Sequence, residues 1–392
     1  MKKYISLGIN GLIQQNITQV TLLLTSRCSL RCKMCFYWEQ VDANDSDELS
    51  LDEIEQMSLS MPRFFWLLLG GGEPFVRKDL PAIVKMFYLN NHISHVSIPT
   101  NSINTQQIIS QVEQVLQQCP KVYLNIVLSL NGIGDDHNQV CQSDIAFKCF
   151  LQTYNQLSVL KQKYSNLGLG INITHSHYTE HKLEDIIDFV VTDLSLVDNI
   201  SVAVVRGNPK EPEAAHIDVN YYKKAIGKIE SLVIQKRIKM YSGFFGRMSF
   251  VKDMIMRRVI IRTLLSGWQC PCLAGKLTIV IDEKANLYPC EVLAPLGNLR
   301  DFDFNVRDLL YSDGVQEKIG HIQTENCYCT HECVYSMNIV FSPRYWPYLI
   351  WNYIKLHSKM LFNRNVRVEL DDMSLPKMHA KKQHNGQLSK LY

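Results

Sequence analysis

Three cysteines early in the chain have the residue type and spacing to bind an iron–sulfur cluster. Cys28, Cys32 and Cys35 form a CxxxCxxC pattern directly after the apolar run QVTLLLT. Three soft thiolates held this closely suit iron–sulfur chemistry, and a four-iron cluster with three cysteines keeps one iron open to an outside ligand. The spacing alone also allows part of a zinc site with a remote ligand, or ordinary thiols on a loop.

A second group of cysteines lies late in the chain. The local sequences are CPCLAG, LYPCE and CYCTHEC, which contain Cys270, Cys272, Cys290, Cys327, Cys329 and Cys333. A CxC pattern with another cysteine four residues later is hard to explain by core packing, whereas a Cys₄ zinc site remains an alternative to an iron–sulfur cluster. The other three cysteines have no partners in the sequence pattern and are interpreted as structural, namely Cys119, Cys141 and Cys149.

The composition limits the class of protein. The chain has 392 residues, enough for two domains, and its formal net charge of +3 gives no support for nucleic-acid binding through a strong basic field. The first residues lack the apolar stretch and cleavage site of a signal peptide, so clustered cysteines indicate metal rather than disulfides in an expected cytoplasmic setting. No segment has the roughly 18 uninterrupted apolar residues of a membrane span.

The elements that must position the first cysteines alternate between strands and helices. Six apolar, β-branched runs predict buried parallel strands at 20–25, 66–69, 96–99, 122–130, 167–174 and 200–205. Helical patterns separate them, and Ser50 to Glu53 reads as a capping box that opens the first. Six strands are too few for a full eight-stranded barrel, so the predicted fold is α/β, a partial (β/α)₆ TIM-like barrel. Hairpin-like pieces follow around 276–281 and 286–288.

Further motifs at the predicted strand ends resemble those of the radical S-adenosylmethionine (SAM) superfamily. CxxxCxxC follows the first strand, and the next three strands end in Gly70-Gly71-Gly72-Glu73-Pro74, Thr100-Asn101-Ser102 and Ser129-Leu130-Asn131-Gly132, with His137 soon after. Relatives often have TNG and SLDG at the last two places, so Ser102 replaces a glycine and Asn131 an aspartate. The order of the motifs matches the order of the strands over roughly residues 18–207.

The resemblance implies the roles of these residues. Gly71, Gly72, Glu73 and Pro74 would hold the SAM amino group, Ser129 and Asn131 its ribose or carboxylate, and Thr100 and Asn101 are weaker candidates. It also implies reduction of the cluster by an external donor such as flavodoxin or ferredoxin, and cleavage of SAM to methionine and a 5′-deoxyadenosyl radical. Arg206, after the sixth strand, could pair with a SAM or substrate carboxylate, or form an ordinary surface salt bridge.

The late cysteines resemble the auxiliary-cluster domains of SPASM or twitch type. This implies one further [4Fe–4S] cluster on Cys272, Cys290, Cys329 and Cys333, with Cys327 able to replace one of them. Relatives have a glycine where this chain has Ala285. The predicted division is an extension at 1–17, the core barrel at 18–240, a basic and apolar helical connector at 241–267, the small cysteine-rich domain at 268–336 and a tail at 337–392 whose end is predicted to be disordered.

The sequence thus predicts a radical SAM oxidoreductase or transferase that acts on a small or lipid-like metabolite. A peptide maturase and a non-catalytic iron–sulfur or zinc protein are the alternatives. Two segments fit either buried helix faces or peripheral membrane contact. Their residues are the basic Arg247, Lys252, Arg257, Arg258 and Arg262, and the aromatic Tyr345, Trp346, Tyr348, Trp351 and Tyr353.

Overall fold

A parallel β-sheet with helices between its strands forms the centre of the fold. The computed structural model describes residues 17–43, 47–238, 243–362 and 375–376. Six parallel strands lie side by side in chain order, which confirms the predicted fold class of a partial α/β barrel. They are β1 (Gln19–Thr25), β2 (Trp66–Gly71), β3 (His95–Thr100), β4 (Tyr123–Ser129), β5 (Leu167–His175) and β6 (Asn199–Val204).

Helices connect these strands and continue after them. The predicted capping box opens the helix Leu51–Ser60, which follows an earlier one at Trp38–Ala43. In it the Ser50 hydroxyl accepts from the Glu53 N–H at 3.3 Å and the Glu53 carboxylate accepts from the Ser50 N–H at 2.7 Å. The helices within the barrel region are α1 (Trp38–Ala43), α2 (Leu51–Ser60), α3 (Leu80–Asn90), α4 (Thr105–Gln118), α5 (Asp135–Cys141), α6 (Ala146–Lys163), α7 (Leu183–Asp193) and α8 (Val219–Ile234). The later helices are α9 (Gly243–Ser266), α10 (Val306–Leu310), α11 (Asp313–Thr324), α12 (Glu332–Phe341) and α13 (Trp346–Phe362).

The two faces of the sheet differ in burial. On β4, Leu124, Ile126 and Leu128 are fully buried in the main hydrophobic core that the helices share. The alternate residues of the same strand are exposed or half-buried on the opposite face. Because successive side chains of a strand point to opposite faces, one face of the sheet packs on helices and the other is left to line the inside of the barrel.

The cysteine-rich region is joined to the barrel through the same sheet. Strand β7 (Thr278–Ile281) pairs in parallel with β1, and β8 (Asn286–Tyr288) and β9 (Gly297–Asn298) follow in antiparallel order. The predicted hairpin is therefore present, and its turn explains the glycine of relatives, because Ala285 adopts a left-handed φ of 69°. As β7 runs parallel to β1, both strands end at the edge of the sheet that carries the first cysteines.

The basic connector is a helix buried between others. α9 packs against α8, α12 and α13. Arg257 and Arg258 are both 4% exposed, and Arg258 donates to the buried Glu230 of α8 at 2.6 Å. For these two residues, the buried-face interpretation of the segment therefore holds. No helix within the described ranges is long and apolar enough to cross a membrane.

Candidate active site

The predicted site residues lie at one edge of the sheet. The first cysteines follow β1, and the three other motifs follow β2, β3 and β4, all parallel strands. The carboxyl ends of parallel strands in a barrel form its active-site face. The fold therefore brings together the segments that the sequence identified separately.

The first three cysteines lie on the loop between β1 and α1 and are close enough to influence each other's ionisation. The Cys35 N–H donates to the Cys32 carbonyl at 3.1 Å, and Cys32 and Cys35 both disfavour a thiolate at Cys28. Burial raises the pKa of Cys28 to about 12 and that of Cys35 to about 11. Buried thiolates at these positions therefore need a nearby positive charge, which coordinated iron supplies, so the donor set fits a cluster.

A single metal ion and a four-iron cluster need different spacings of their ligands. In the part of the chain that the structure describes, no three His, Cys, Asp or Glu side chains converge as one metal ion requires. A zinc site has all its sulfur donors about 2.3 Å from one point. A four-iron cluster takes one thiolate at each iron and so spaces its ligands more widely.

Cys141 lies against the first cysteine group. Its thiol forms a hydrogen bond with that of Cys32 and is 3.6 Å from Nε2 of His137, one turn earlier on α5. Nδ1 of His137 accepts the Asn131 N–H at 3.0 Å, and burial lowers the pKa of His137 to about 4, so the ring is neutral at pH 7. The interpretation of Cys141 as a cysteine without a partner is therefore wrong.

The glycine-rich turn after β2 packs directly on the loop that carries the cysteines. The Gly72 N–H donates to the Thr25 carbonyl at 2.8 Å, and the Glu73 N–H donates to the Arg27 carbonyl at 2.9 Å. A Cβ atom on Gly72 would lie 2.4 Å from the Arg27 oxygen. Because glycine has no side chain, the turn after β2 can pack against the backbone of the cysteine loop, in addition to any close approach to a ligand.

The Glu73 carboxylate joins this turn to the end of β3. It is 4% exposed and accepts hydrogen bonds from the Thr100 hydroxyl at 2.9 Å and the Asn101 N–H at 2.7 Å. Burial raises the pKa of Glu73 to about 7, against these hydrogen bonds, which lower it. The side-chain amide nitrogen of Asn101 is 3.6 Å from the Cys28 sulfur, so this hydrogen-bond network reaches the first cysteine group.

Ser129 and Asn131 end the fourth strand at the same edge. Ser129 is half-buried. The Asn131 side-chain oxygen accepts the Thr174 N–H at 2.8 Å and so joins the end of β4 to that of β5. The replacement of the usual aspartate keeps this acceptor, because an asparagine side chain also has a carbonyl oxygen.

Arg206 pairs with a carboxylate of the protein. Its Nη2 lies 2.6 Å from Oε2 of Glu291, and its guanidinium carbon lies 5.1 Å from the ring centroid of Phe36, next to Cys35. Nε2 of His331 lies 3.7 Å from the same Glu291 oxygen. Arg206 is thus mostly buried and connects the end of β6 to the cysteine-rich region, which differs from an ordinary surface salt bridge.

An open cavity of about 590 Å³ borders this ion pair. The last turn of α9 forms one wall, with Leu264 and Leu265, and Trp268 follows it. Tyr328, Cys329 and His331 form the opposite wall. The lining thus combines apolar and aromatic side chains with polar ones, among them Thr263, Asn326 and Thr330, and it adjoins the second cysteine group through Cys329.

Five late cysteines line one enclosed cavity, and three separate segments contribute them. They are Cys270, Cys272, Cys290, Cys327 and Cys329. The thiols of Cys272 and Cys327 form a hydrogen bond, and Cys329 influences the ionisation of both Cys272 and Cys290. These contacts bring together four cysteines that are up to 57 residues apart in the sequence, as a cluster site requires.

For two late cysteines, the structure differs from the predicted set of cluster ligands. Cys270 was not among the predicted ligands, yet it lines the cavity, where its sulfur lies 3.7 Å from the Asn338 amide nitrogen. Cys333 is outside the lining, and the charged groups that influence it are Glu291, Arg206, Glu332 and Lys252, of which Arg206 and Glu291 also act on Cys329. The assignment of Cys333 as a ligand therefore stays a prediction.

Comparisons with known proteins find similarity to the radical SAM superfamily. Residues 22–190 match the model of the Radical SAM superfamily. A probable GTP 3′,8-cyclase of Methanococcus vannielii is 24% identical over 298 residues, which cover 72% of this chain and 91% of that relative. SuiB of Streptococcus suis bound to S-adenosylmethionine shares the fold, with a TM-score of 0.57, 13% identity and coverage of 79% of this chain and 68% of that one. So does anSMEcpe with bound AdoMet, with a TM-score of 0.53, 17% identity and coverage of 88% and 98%.

Other relatives match over a smaller part of their length. The chain spans 36% of a probable GTP 3′,8-cyclase of Archaeoglobus fulgidus, at 28% identity over 115 residues or 29% of this chain. It spans 20% of the molybdenum cofactor biosynthesis protein 1 of Dictyostelium discoideum, at 33% identity over 143 residues or 34% of this chain. The radical SAM class and the partial-barrel fold are therefore confirmed, whereas the substrate is not identified by these matches.

Substitution of Ser102 by glycine should stabilise the protein. Ser102 has a left-handed φ of 67°, and among the described residues its buried hydroxyl has no hydrogen-bond partner. Relief of the backbone strain and removal of the unpaired hydroxyl should raise the free energy of unfolding by about 1–2 kcal/mol, measured by denaturant titration. Ser158→Gly is the matched control, because its hydroxyl is also buried and unpaired but lies in helix α6. The control should gain less or be destabilised; an equal gain from both substitutions would contradict the argument.

The buried carboxyl group of Glu73 should make stability depend on pH. Since its folded pKa of about 7 exceeds the ordinary value, the folded state keeps a proton that the unfolded state has lost between about pH 4.5 and 7. The stability that this group contributes should therefore fall as pH rises, by about 2 kcal/mol from pH 5 to 7.5. Glu73→Gln should abolish that part of the dependence in unfolding experiments on the apoprotein.

Glu113→Gln is the control for this pH dependence. Hydrogen bonds from Lys163 and Tyr164 hold the pKa of Glu113 below its usual range. The stability that Glu113 contributes should therefore rise with pH, whereas that of Glu73 falls. An unchanged pH profile in Glu73→Gln would contradict the raised pKa.

Proposed function

Because this chain is a radical SAM enzyme that uses a [4Fe–4S] cluster and SAM, we propose that Cys28, Cys32 and Cys35 bind that cluster. Their shared loop at the active-site edge carries this proposal. When bound, the reduced cluster would supply one electron to the sulfonium of SAM, which would break a carbon–sulfur bond and give methionine and a 5′-deoxyadenosyl radical able to take a hydrogen atom from the substrate. An external donor such as flavodoxin or ferredoxin would supply the electron.

The strand-end motifs would hold SAM beside the cluster. A carboxylate has about four lone-pair sites, and Glu73 uses three for Phe75, Thr100 and Asn101. One site remains for the SAM ammonium group, next to the backbone of Gly71, Gly72 and Pro74. Ser129 and Asn131 lie where the ribose or carboxylate would extend along the same edge.

We further propose that the second cavity binds an auxiliary [4Fe–4S] cluster. Cys272, Cys290, Cys327 and Cys329 are the ligands that the thiol contacts favour, since they influence each other's ionisation. Cys270 would lie beside the cluster, where the amide of Asn338 and the hydroxyl of Tyr345 already contact its thiol. In this set Cys327 takes the place of Cys333, a replacement that the sequence analysis left open.

The substrate that the open cavity fits best is a small or lipid-like metabolite. The cavity volume of about 590 Å³ lies in the range of small-molecule sites, and the apolar side chains of Leu264, Leu265 and Trp268 form part of its wall. The hydrogen atom would be taken from a carbon atom of the substrate. The polar groups of the cavity would then be needed only to orient the substrate. His331 and Arg206 are available at the rim for that orientation.

A nucleotide is the second candidate, because several relatives are named GTP 3′,8-cyclase. A triphosphate needs several cationic partners. Among the described residues that line the open cavity, Arg206 is the one with a permanent positive charge, and Glu291 already pairs with it. The charges of this cavity therefore favour a metabolite without phosphates. A peptide substrate, which the sequence analysis left open, also stays an alternative.

Replacement of Cys28, Cys32 and Cys35 by alanine should abolish SAM cleavage and leave the second cluster in place. Anaerobically reconstituted wild type should hold about eight irons and the triple variant about four, because each cluster has four. Dithionite-reduced variant with SAM should form no 5′-deoxyadenosine by chromatography, whereas Cys119→Ala with Cys149→Ala should behave as wild type. Continued formation of 5′-deoxyadenosine by the triple variant would exclude this site.

Single alanine variants should separate Cys329 from Cys333. Cys329→Ala removes a thiol from the cavity and should lower the iron content from about eight to about four. Cys333→Ala removes a thiol that does not line the cavity and should keep about eight. Iron and sulfide assays with the cluster absorption band would check this, and the reverse pattern would restore the assignment of Cys333 as a ligand.

A further inference from the structure

The last long helix, α13, is apolar on two opposite faces. One face is buried against the rest of the protein through Leu349, Asn352 and Leu356. The opposite face exposes four large apolar residues, which we call the α13 patch: Trp346 (38% exposed), Ile350 (56%), Trp351 (58%) and Ile354 (55%). A surface helix normally has polar residues on its outer face, so this face is built for contact with something other than water.

The patch is continuous. Trp346, Ile350 and Ile354 follow one another at intervals of four residues, and Trp351 lies three residues before Ile354. On a helix such residues are surface neighbours. The Trp346 indole N–H donates to the Val340 carbonyl of α12 at 2.9 Å, and Val340 is itself 38% exposed. The aromatic band predicted from the sequence is thus divided, since Tyr345 is buried and the two tryptophans face outward.

The segment that contains the patch is basic. From Cys333 to Phe362 the sequence has no Asp or Glu and contains Arg344, Lys355 and Lys359. Arg247 of α9 reaches the same side, with its Nη1 3.4 Å from Nδ1 of His357. A partner that contacts this side must therefore tolerate apolar side chains at the centre and carry negative charge around them.

We propose that the α13 patch docks on an anionic lipid bilayer. Outward tryptophans and isoleucines enter the boundary between headgroups and acyl chains, and flanking lysine and arginine attract acidic headgroups, as in helices that lie in the membrane interface. A second copy of this chain fits less well, because a two-fold interface would place the same positive charges against each other. The proposal does not depend on the identity of the substrate.

This docking would place the open cavity near the lipid surface. α9 packs against α13, and its last turn, with Leu264 and Leu265, lines the cavity. Leu265 is 58% exposed there. A lipid-like substrate could thus reach the cavity from the membrane to which the enzyme is bound.

Vesicle sedimentation of the anaerobic, cluster-loaded full chain tests the proposal. Wild type should pellet with vesicles of phosphatidylcholine and phosphatidylglycerol, and less with phosphatidylcholine alone or at high salt. Trp351→Gln with Ile354→Gln should bind at least about tenfold more weakly, since two large apolar side chains no longer enter the bilayer. Leu59→Gln with Val159→Gln is the matched control, because both residues are 67% exposed on barrel helices, and it should bind as wild type.

Two results would overturn the proposal. The first is equal vesicle binding by the patch variant and the control, or no binding by wild type. The second is a wild-type dimer in light scattering that the patch substitutions dissociate, with no vesicle binding, which would assign the face to a second copy. Trp346→Gln with Ile350→Gln serves as a second patch variant, and equal iron content and circular dichroism of all variants would verify folding.

Discussion

The buried Glu73 carboxylate is the interaction on which the geometry of the active-site edge depends. Its backbone N–H binds the Arg27 carbonyl just before the cysteine loop, while its side chain binds Thr100 and Asn101 at the end of β3. Asn101 in turn reaches the sulfur of Cys28. Three neighbouring strand ends are therefore fixed relative to one another by one residue, and a cofactor bound there would meet a preformed edge.

The second constraint is the parallel pairing of β7 with β1. It makes the cysteine-rich region a continuation of the barrel sheet, so that Glu291 can pair with Arg206 after β6. Cys290 precedes Glu291, and Phe36, which follows Cys35, lies against Arg206, so the ion pair connects the neighbourhoods of the two cysteine groups. The open cavity borders the same pair.

The sequence predicted what depends on local pattern, and the structure supplied what depends on tertiary contact. Apolar strand runs predicted all six barrel strands, and motif order predicted which residues share an edge. The contact of Cys141 with Cys32 could not be predicted, because the two come from different segments; the spacing of His137 and Cys141 by one helical turn was the available indication. Likewise, which late cysteines share a cavity depends on how three segments fold together, so Cys270 was overlooked.

An iron of the proposed first cluster that no cysteine binds should be open to SAM. Electron paramagnetic resonance of the reduced protein can detect this, in a variant with Cys272, Cys290, Cys327 and Cys329 changed to alanine so that a single cluster contributes. We expect a [4Fe–4S]⁺ spectrum whose g values shift when SAM is added, because SAM would bind to that iron. A spectrum that SAM leaves unchanged, or a variant without a cluster, would rule out a SAM-binding cluster on Cys28, Cys32 and Cys35.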